Sequence, residues 1–139
     1  MVGGVKATFI ALLAFSLCLS AVGADKKPLT KEESAKVIEA AIRKSLKKPT
    51  GELTKADYEK VTKLNLAANQ LTDVKGLEKL TKLEVLELSD NQLTEVKGLE
   101  KLTQLTGLNL KNNPDLTKAQ IAELQKALPQ CTIYSNPTK

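Results

Sequence analysis

The sequence predicts an α/β solenoid: a short stack of parallel strands on a concave face, with a helical cap at its N-terminal end and a helix-strand cap at its C-terminal end. Three observations carry that expectation. Leu64 to Val85 (LNLAANQLTDVKGLEKLTKLEV) and Leu86 to Gly107 (LELSDNQLTEVKGLEKLTQLTG) are identical at 15 of 22 positions without a gap. Within each unit the leucines recur as L-x-L-x-x-N-x-L, so that one short strand and one tight turn fall in every period. On either side the pattern changes to helical spacing, which is what the ends of a stacked array need to cover an open apolar core.

The elements follow in chain order. Lys6, the apolar run Ala7 to Leu19, and the small residues Ser20-Ala21-Val22-Gly23-Ala24 have the layout of an export signal, with Val22 and Ala24 at the −3 and −1 places of cleavage. The expected organisation is therefore 1–24 signal peptide, 25–60 leader and helical cap, and 61–136 repeats with a C-terminal cap. The alternative is a lipid anchor at Cys18, against which stands Leu17, since a small residue is expected directly before a lipidated cysteine. After the polar leader Asp25 to Leu29, Thr30 and Glu33 form a capping box. A helix should run from there to about Lys48, with Ile38, Ile42 and Leu46 on one face and Pro49-Thr50-Gly51 as its stop. Thr54 with Asp57 starts a second, shorter helix. Strands are expected at Leu64-Asn65-Leu66, Leu86-Glu87-Leu88 and Leu108-Asn109-Leu110. The third unit carries an inserted residue at Pro114-Asp115 and becomes a true helix, Thr117 to Leu128, capped by Thr117 with Gln120. Cys131 and Ile133 are then expected where Leu108 and Leu110 stood, and the core runs from Val61 to Ile133, taking in Ile121, Leu124, Leu128 and Cys131.

A period near twenty with this asparagine is the leucine-rich-repeat pattern, in which each unit buries its apolar face only against its neighbours. Alternation along a strand turns the residues between the leucines outward. Four columns result: Thr62, Glu84, Thr106; Lys63, Val85, Gly107, Gln130; Asn65, Glu87, Asn109, Thr132; and Ala67, Ser89, Lys111, Tyr134. Solenoids use this face for partners. The candidate protein-binding residues are Lys63, Asn65, Glu87, Ser89, Asn109, Lys111, Thr132 and Tyr134. Tyr134 is the one aromatic among them, an interface anchor or a lid over the end of the core. Asn69, Asn91, Asn113 and Asn136 recur once per turn, and the expectation is that their amides bond backbone in the turns instead of meeting a ligand. Gly76 and Gly98 permit tight bends on the convex side, where Lys75, Glu78, Lys79 and Lys97, Glu100, Lys101 are solvated.

Composition narrows the function. The chain has no histidine, and loss of the signal leaves Cys131 as a single thiol, unable to form an internal disulfide and placed as an apolar filler. No paired acid motif, phosphate loop or activated nucleophile is present, so the expectation is no enzyme, no cofactor and no metal. Asp90, Asn91, Thr94 and Glu95 lack the order of a calcium loop. Without the signal, Lys6 drops out and 20 basic residues face 16 acidic ones, a net charge of +4. The signs alternate along the chain, and Tyr58 and Tyr134 are the only aromatics left, which argues against a nucleic-acid partner. No membrane span is expected once the signal is gone. The partner expected is another protein, met in the periplasm or outside the cell; the alternative is a structural or envelope-associated protein without a discrete ligand site.

L-x-x-L-x-L-x-x-N-x-L at a spacing of 22, as in Leu83 to Leu93, resembles the bacterial repeats of the internalin type, and eukaryotic repeats of the same length are similar. Ala41-Ile42 through Pro49-Thr50-Gly51-Glu52-Leu53-Thr54, followed by Tyr58 and Val61, resembles the helical N-terminal cap of such exported proteins. The likeness covers residues 35 to 136. It implies a non-enzymatic protein-binding surface. Two full repeats are far fewer than receptor-binding internalins carry, so an invasion role is not implied, and no wall-sorting tail is expected from Asn136-Pro137-Thr138-Lys139.

Overall fold

A computed structural model describes residues 27–137. The export signal, its cleavage site and Cys18 lie outside the described residues. Helix α1 (Lys31–Leu46) and the short α2 (Lys55–Glu59) precede strand β1 (Lys63–Asn65). Strands β2 (Val85–Glu87) and β3 (Gly107–Asn109) follow, then helix α3 (Lys118–Ala127) and strand β4 (Thr132–Tyr134). The strands form one parallel sheet in the order β1-β2-β3-β4. Single 3-10 turns, Leu77–Lys79 and Leu99–Lys101, make the convex side of the first two units, and α3 replaces them in the third.

The leucine register builds the core as expected. From Leu64 to Leu116 the leucines of the repeats are buried, and Ile38 and Ile42 of α1 close the N-terminal end. Ile121 and Ile133 differ from expectation. Both are only partly buried against the core, Ile133 on the edge strand β4 and Ile121 on the helix that precedes it. Helix α1 stops at Leu46, two residues early. Lys47 takes a left-handed conformation (φ 55°), and the Lys48 N–H reaches back to the Arg43 carbonyl at 3.0 Å, a tight reversal that Pro49 then fixes.

The cap is joined to the first repeat by polar contacts that periodicity did not reveal. Ser34 is fully buried, and its Oγ accepts from the Thr72 N–H at 3.1 Å. The Thr72 hydroxyl donates to the Leu29 carbonyl at 2.7 Å, and the Leu29 N–H donates to the Gln70 carbonyl at 3.0 Å. All three capping boxes form, at Thr30/Glu33, Thr54/Asp57 and Thr117/Gln120. Gly76 and Gly98 stand at φ +105° and +104°, where a side chain would be strained. Their N–H groups donate to Glu78 and Glu100 Oε2, each at 2.7 Å, so these two glutamates brace the convex turn.

Candidate functional site

The strand face is set by its register. Lys63, Val85, Gly107 and Thr132 form one row across the sheet, and Asn65, Glu87, Asn109 and Tyr134 the next. The fourth strand therefore sits two residues further along than expected. Ile133 lies opposite Leu108, Thr132 takes the place given to Gln130, and Tyr134 stands beside Asn109. Cys131 lies just ahead of the strand. Its N–H donates to the Leu128 carbonyl at 3.1 Å, as Leu83 does to Leu80 and Leu105 to Leu102. The ten-residue α3 takes a longer path than a three-residue 3-10 turn, and the extra length enters before β4. The shift is even, so Thr132 and Tyr134 keep their outward orientation.

The candidate residues separate into two kinds. Asn65 Oδ1, Glu87 Oε1 and Asn109 Oδ1 accept from the N–H groups of Ala67 (2.9 Å), Ser89 (3.0 Å) and Lys111 (3.1 Å). The second Glu87 oxygen accepts from Asn109 Nδ2 at 3.1 Å. This central polar row is folded onto its own backbone. The remaining candidates face outward more freely. Lys63 and Thr132 are exposed, Ser89 is half-buried, and the Lys111 ammonium lies 5.9 Å above the Tyr134 ring.

Two further residues complete the face. Among the described residues the large apolar side chains left exposed are Val85, 41% exposed, and Tyr134, 52% exposed, and both stand here. Gly107 lies beside Val85 in the sheet. Its φ is not left-handed, and an added Cβ would meet nothing within 4 Å. Neither conformation nor packing therefore requires glycine at this position, and its effect is to bare the strand backbone between Val85 and Thr132. A lone glycine at a strand position was the signal available in the sequence.

The asparagine ladder is structural, with unequal loads. Asn91 and Asn113 are buried, and their Nδ2 groups donate to the carbonyls of Leu66 and Leu88, and of Leu88 and Leu110, respectively. Asn69 Nδ2 reaches only the Ala67 carbonyl, and the exposed Asn136 pairs with Asn112. Cys131 is buried, which raises its thiol pKa. The Asp57 carboxylate is held well below the usual range by the Lys48 ammonium at 2.7 Å, then by the Thr54 N–H and hydroxyl. Among the described residues no cluster of His, Cys, Asp and Glu could hold a metal ion, and no helix is long and apolar enough to cross a membrane. A groove of about 540 Å³ between α3 and the second convex turn, floored by Val96 and Leu124, lies away from the strand face.

The comparisons with known proteins agree with this geometry. The family described as Leucine Rich repeats (2 copies) matches residues 59–96 and 81–126. No curated protein matches as a relative. Among solved structures, an internalin (inlF) from Listeria monocytogenes is similar at a TM-score of 0.63 with 26% identity, over 74% of this chain and 31% of that one. An internalin C2 (inlC2) from the same organism is similar at a TM-score of 0.61 with 24% identity, over 74% of this chain and 56% of that one. The chain thus spans about a third of the first and just over half of the second. With residues 59–126 matched to the family and the fold similar to these solenoids, the chain carries leucine-rich repeats of the internalin-like type.

Proposed function

We propose that this chain is an exported, non-catalytic protein-interaction module that takes its partner on the concave strand face. The internalin-like repeat fold points to protein interaction in general. The observation that supports this face is the coincidence there of Val85, Tyr134 and the unforced Gly107. Exposed apolar side chains beside bare backbone form the centre of an interface, and the Asn65–Glu87–Asn109 row, already hydrogen-bonded, costs little to cover.

The test is a capture experiment with Gly107→Arg, which fills the notch without a steric clash, beside Lys101→Glu on the convex side as control. A partner held by wild type and by the control, and lost with Gly107→Arg, supports the assignment. Identical capture by all three rejects the concave face and favours the alternative, a structural or envelope-associated protein. Glu87→Lys is a poorer probe, since it also removes the acceptor for the Ser89 N–H. Export is checked by the mass of the mature N-terminus: a start near Asp25 is expected, and a lipidated Cys18 or an uncut chain overturns it.

A further inference from the structure

The two edges of the sheet differ. At one edge, helix α1 packs against β1, which begins at Lys63. At the other lies β4. The Thr132 N–H donates to the Thr106 carbonyl at 2.9 Å, and the Tyr134 carbonyl accepts from the Leu110 N–H at 2.7 Å. The backbone of these two residues therefore faces β3. Alternate residues of a ladder face opposite neighbours, so the Ile133 N–H and carbonyl face the outer edge. Gln125 Nε2 covers the carbonyls just ahead of the strand, Leu128 at 3.0 Å and Cys131 at 2.9 Å, and stops there. Edge strands are usually kept apart by a charge, a proline or a bulge. Thr132–Tyr134 has none of these, and residues 127–137 carry no charged side chain in a chain that is 27% charged. The cation that reaches β4, Lys111, comes from the β3 side and lies over the Tyr134 ring.

We infer that the outer edge of β4 is an interaction surface for a second copy of this chain, paired antiparallel about a two-fold axis at Ile133. The strand is complementary to itself in that register. The Ile133 N–H of each copy meets the Ile133 carbonyl of the other, and the two Ile133 side chains, each partly buried in its own copy, meet on the core side. Thr132 then stands opposite Tyr134 of the second copy, twice, on the concave side, at positions where cross-strand side chains lie closest. Aromatic with β-branched is a favourable cross-strand pair, and no like charges are opposed. Pairing would join two four-stranded sheets into one of eight, with both concave faces on the same side. It stands whether or not that face takes another protein. Three-residue strands make a small contact, so the dimer is a weak one, with a dissociation constant on the order of tens of micromolar.

The experiment is sedimentation equilibrium of the natural chain, as processed by its cell, from about 1 µM to about 1 mM, a range chosen to bracket a weak interface. The mass of wild type should double across the series. Thr132 and Tyr134 are exposed, so both can be changed with the fold retained, which circular dichroism checks. Thr132→Lys with Tyr134→Lys sets like charges opposite one another in both pairs and should weaken the dimer at least about tenfold. Thr132→Glu with Tyr134→Lys sets opposite charges there and should restore it to within about threefold of wild type, with a new dependence on salt. Gly107→Arg fills the concave face on β3 and should dimerise as wild type does. A wild type still monomeric at the top of the range overturns the proposal. So do equal losses in the two double variants, which break the register, and loss of the dimer with Gly107→Arg, which means that the copies meet face to face.

Discussion

Asn91→Ala should cost this chain a large part of its stability, and Asn69→Ala, the same change 22 residues earlier, should cost little. Asn91 Oδ1 accepts from the N–H groups of Asn69 and Leu71, each at 3.0 Å, and its Nδ2 donates to the carbonyls of Leu66 (3.0 Å), Leu88 (2.9 Å) and Ser89 (3.2 Å). On truncation the Leu88 carbonyl keeps its bond from Asn113, and the Ser89 carbonyl keeps the one from the Ala68 N–H. Three groups lose this partner: the N–H of Asn69, the N–H of Leu71 and the carbonyl of Leu66. The two buried orphans, the Leu71 N–H and the Leu66 carbonyl, cost about 1–3 kcal/mol each and the part-buried Asn69 N–H less, so the loss is about 3 kcal/mol, against the 5–15 kcal/mol of a typical domain. Asn69 loses only its bond to the Ala67 carbonyl at 3.1 Å, worth about 1 kcal/mol or less. Urea unfolding followed by far-ultraviolet circular dichroism reads both. With a slope of about 1–2 kcal/mol/M, the Asn91→Ala midpoint should fall by about 1.5–3 M. A drop below about 0.5 M, or equal drops in the two variants, would refute the claim that the load is carried by the inter-turn bonds.

Three further outcomes are expected. Ala68 has φ 57°, like Asp90 and Asn112 one and two units on, so Ala68→Asn, a residue type that tolerates this region, should raise the urea midpoint by about 0.5–1 kcal/mol equivalent; no gain would mean the strain is relieved elsewhere. Gly107→Val should stabilise the fold by about 0.5–1 kcal/mol in thermal melts, since strand geometry accepts a β-branched residue there, while weakening any concave-face partner. Asp57 has its pKa depressed in the folded chain, so its contribution is present above the ordinary carboxylate value of about 3.9 and is lost as pH falls towards the folded value. Asp57→Asn should lower the neutral-pH midpoint and flatten its fall in acid; an unchanged acid limb would place the acid sensitivity in other groups.

The repeat was legible because its signal is redundant: two units identical at 15 of 22 positions fix strand, turn and core together. The capping boxes were legible for a local reason, since each is complete within four residues. Legibility failed where one element's length decides another's position. The β4 register depends on the path taken by α3, which leucine spacing does not encode, and the expected pairing ran two residues short. Ser34 was invisible because its partner, Thr72, lies 38 residues away. On the strand face the sequence could say which residues point outward. It could not say that Asn65, Glu87 and Asn109 are held by their own backbone, or that Val85 stands open beside a glycine whose added Cβ would touch nothing. Those facts belong to hydrogen bonds and to the absence of a Cβ, neither of which has a period.

The near-identity of the two units also bears on inheritance. Each cap is seated mainly on the turn beside it: Thr72 receives Ser34 and Leu29, while Gln120 Nε2 reaches the Thr94 carbonyl at 3.1 Å. Thr72 and Thr94 occupy equivalent places in their units. Excision of 86–107, or its duplication, would present either cap with the same docking residues, so the gene can lengthen or shorten in whole turns by unequal crossing-over. The curved face would change its area in discrete steps while both ends stayed closed, which makes the reach of the surface easier to alter by recombination than by point substitution.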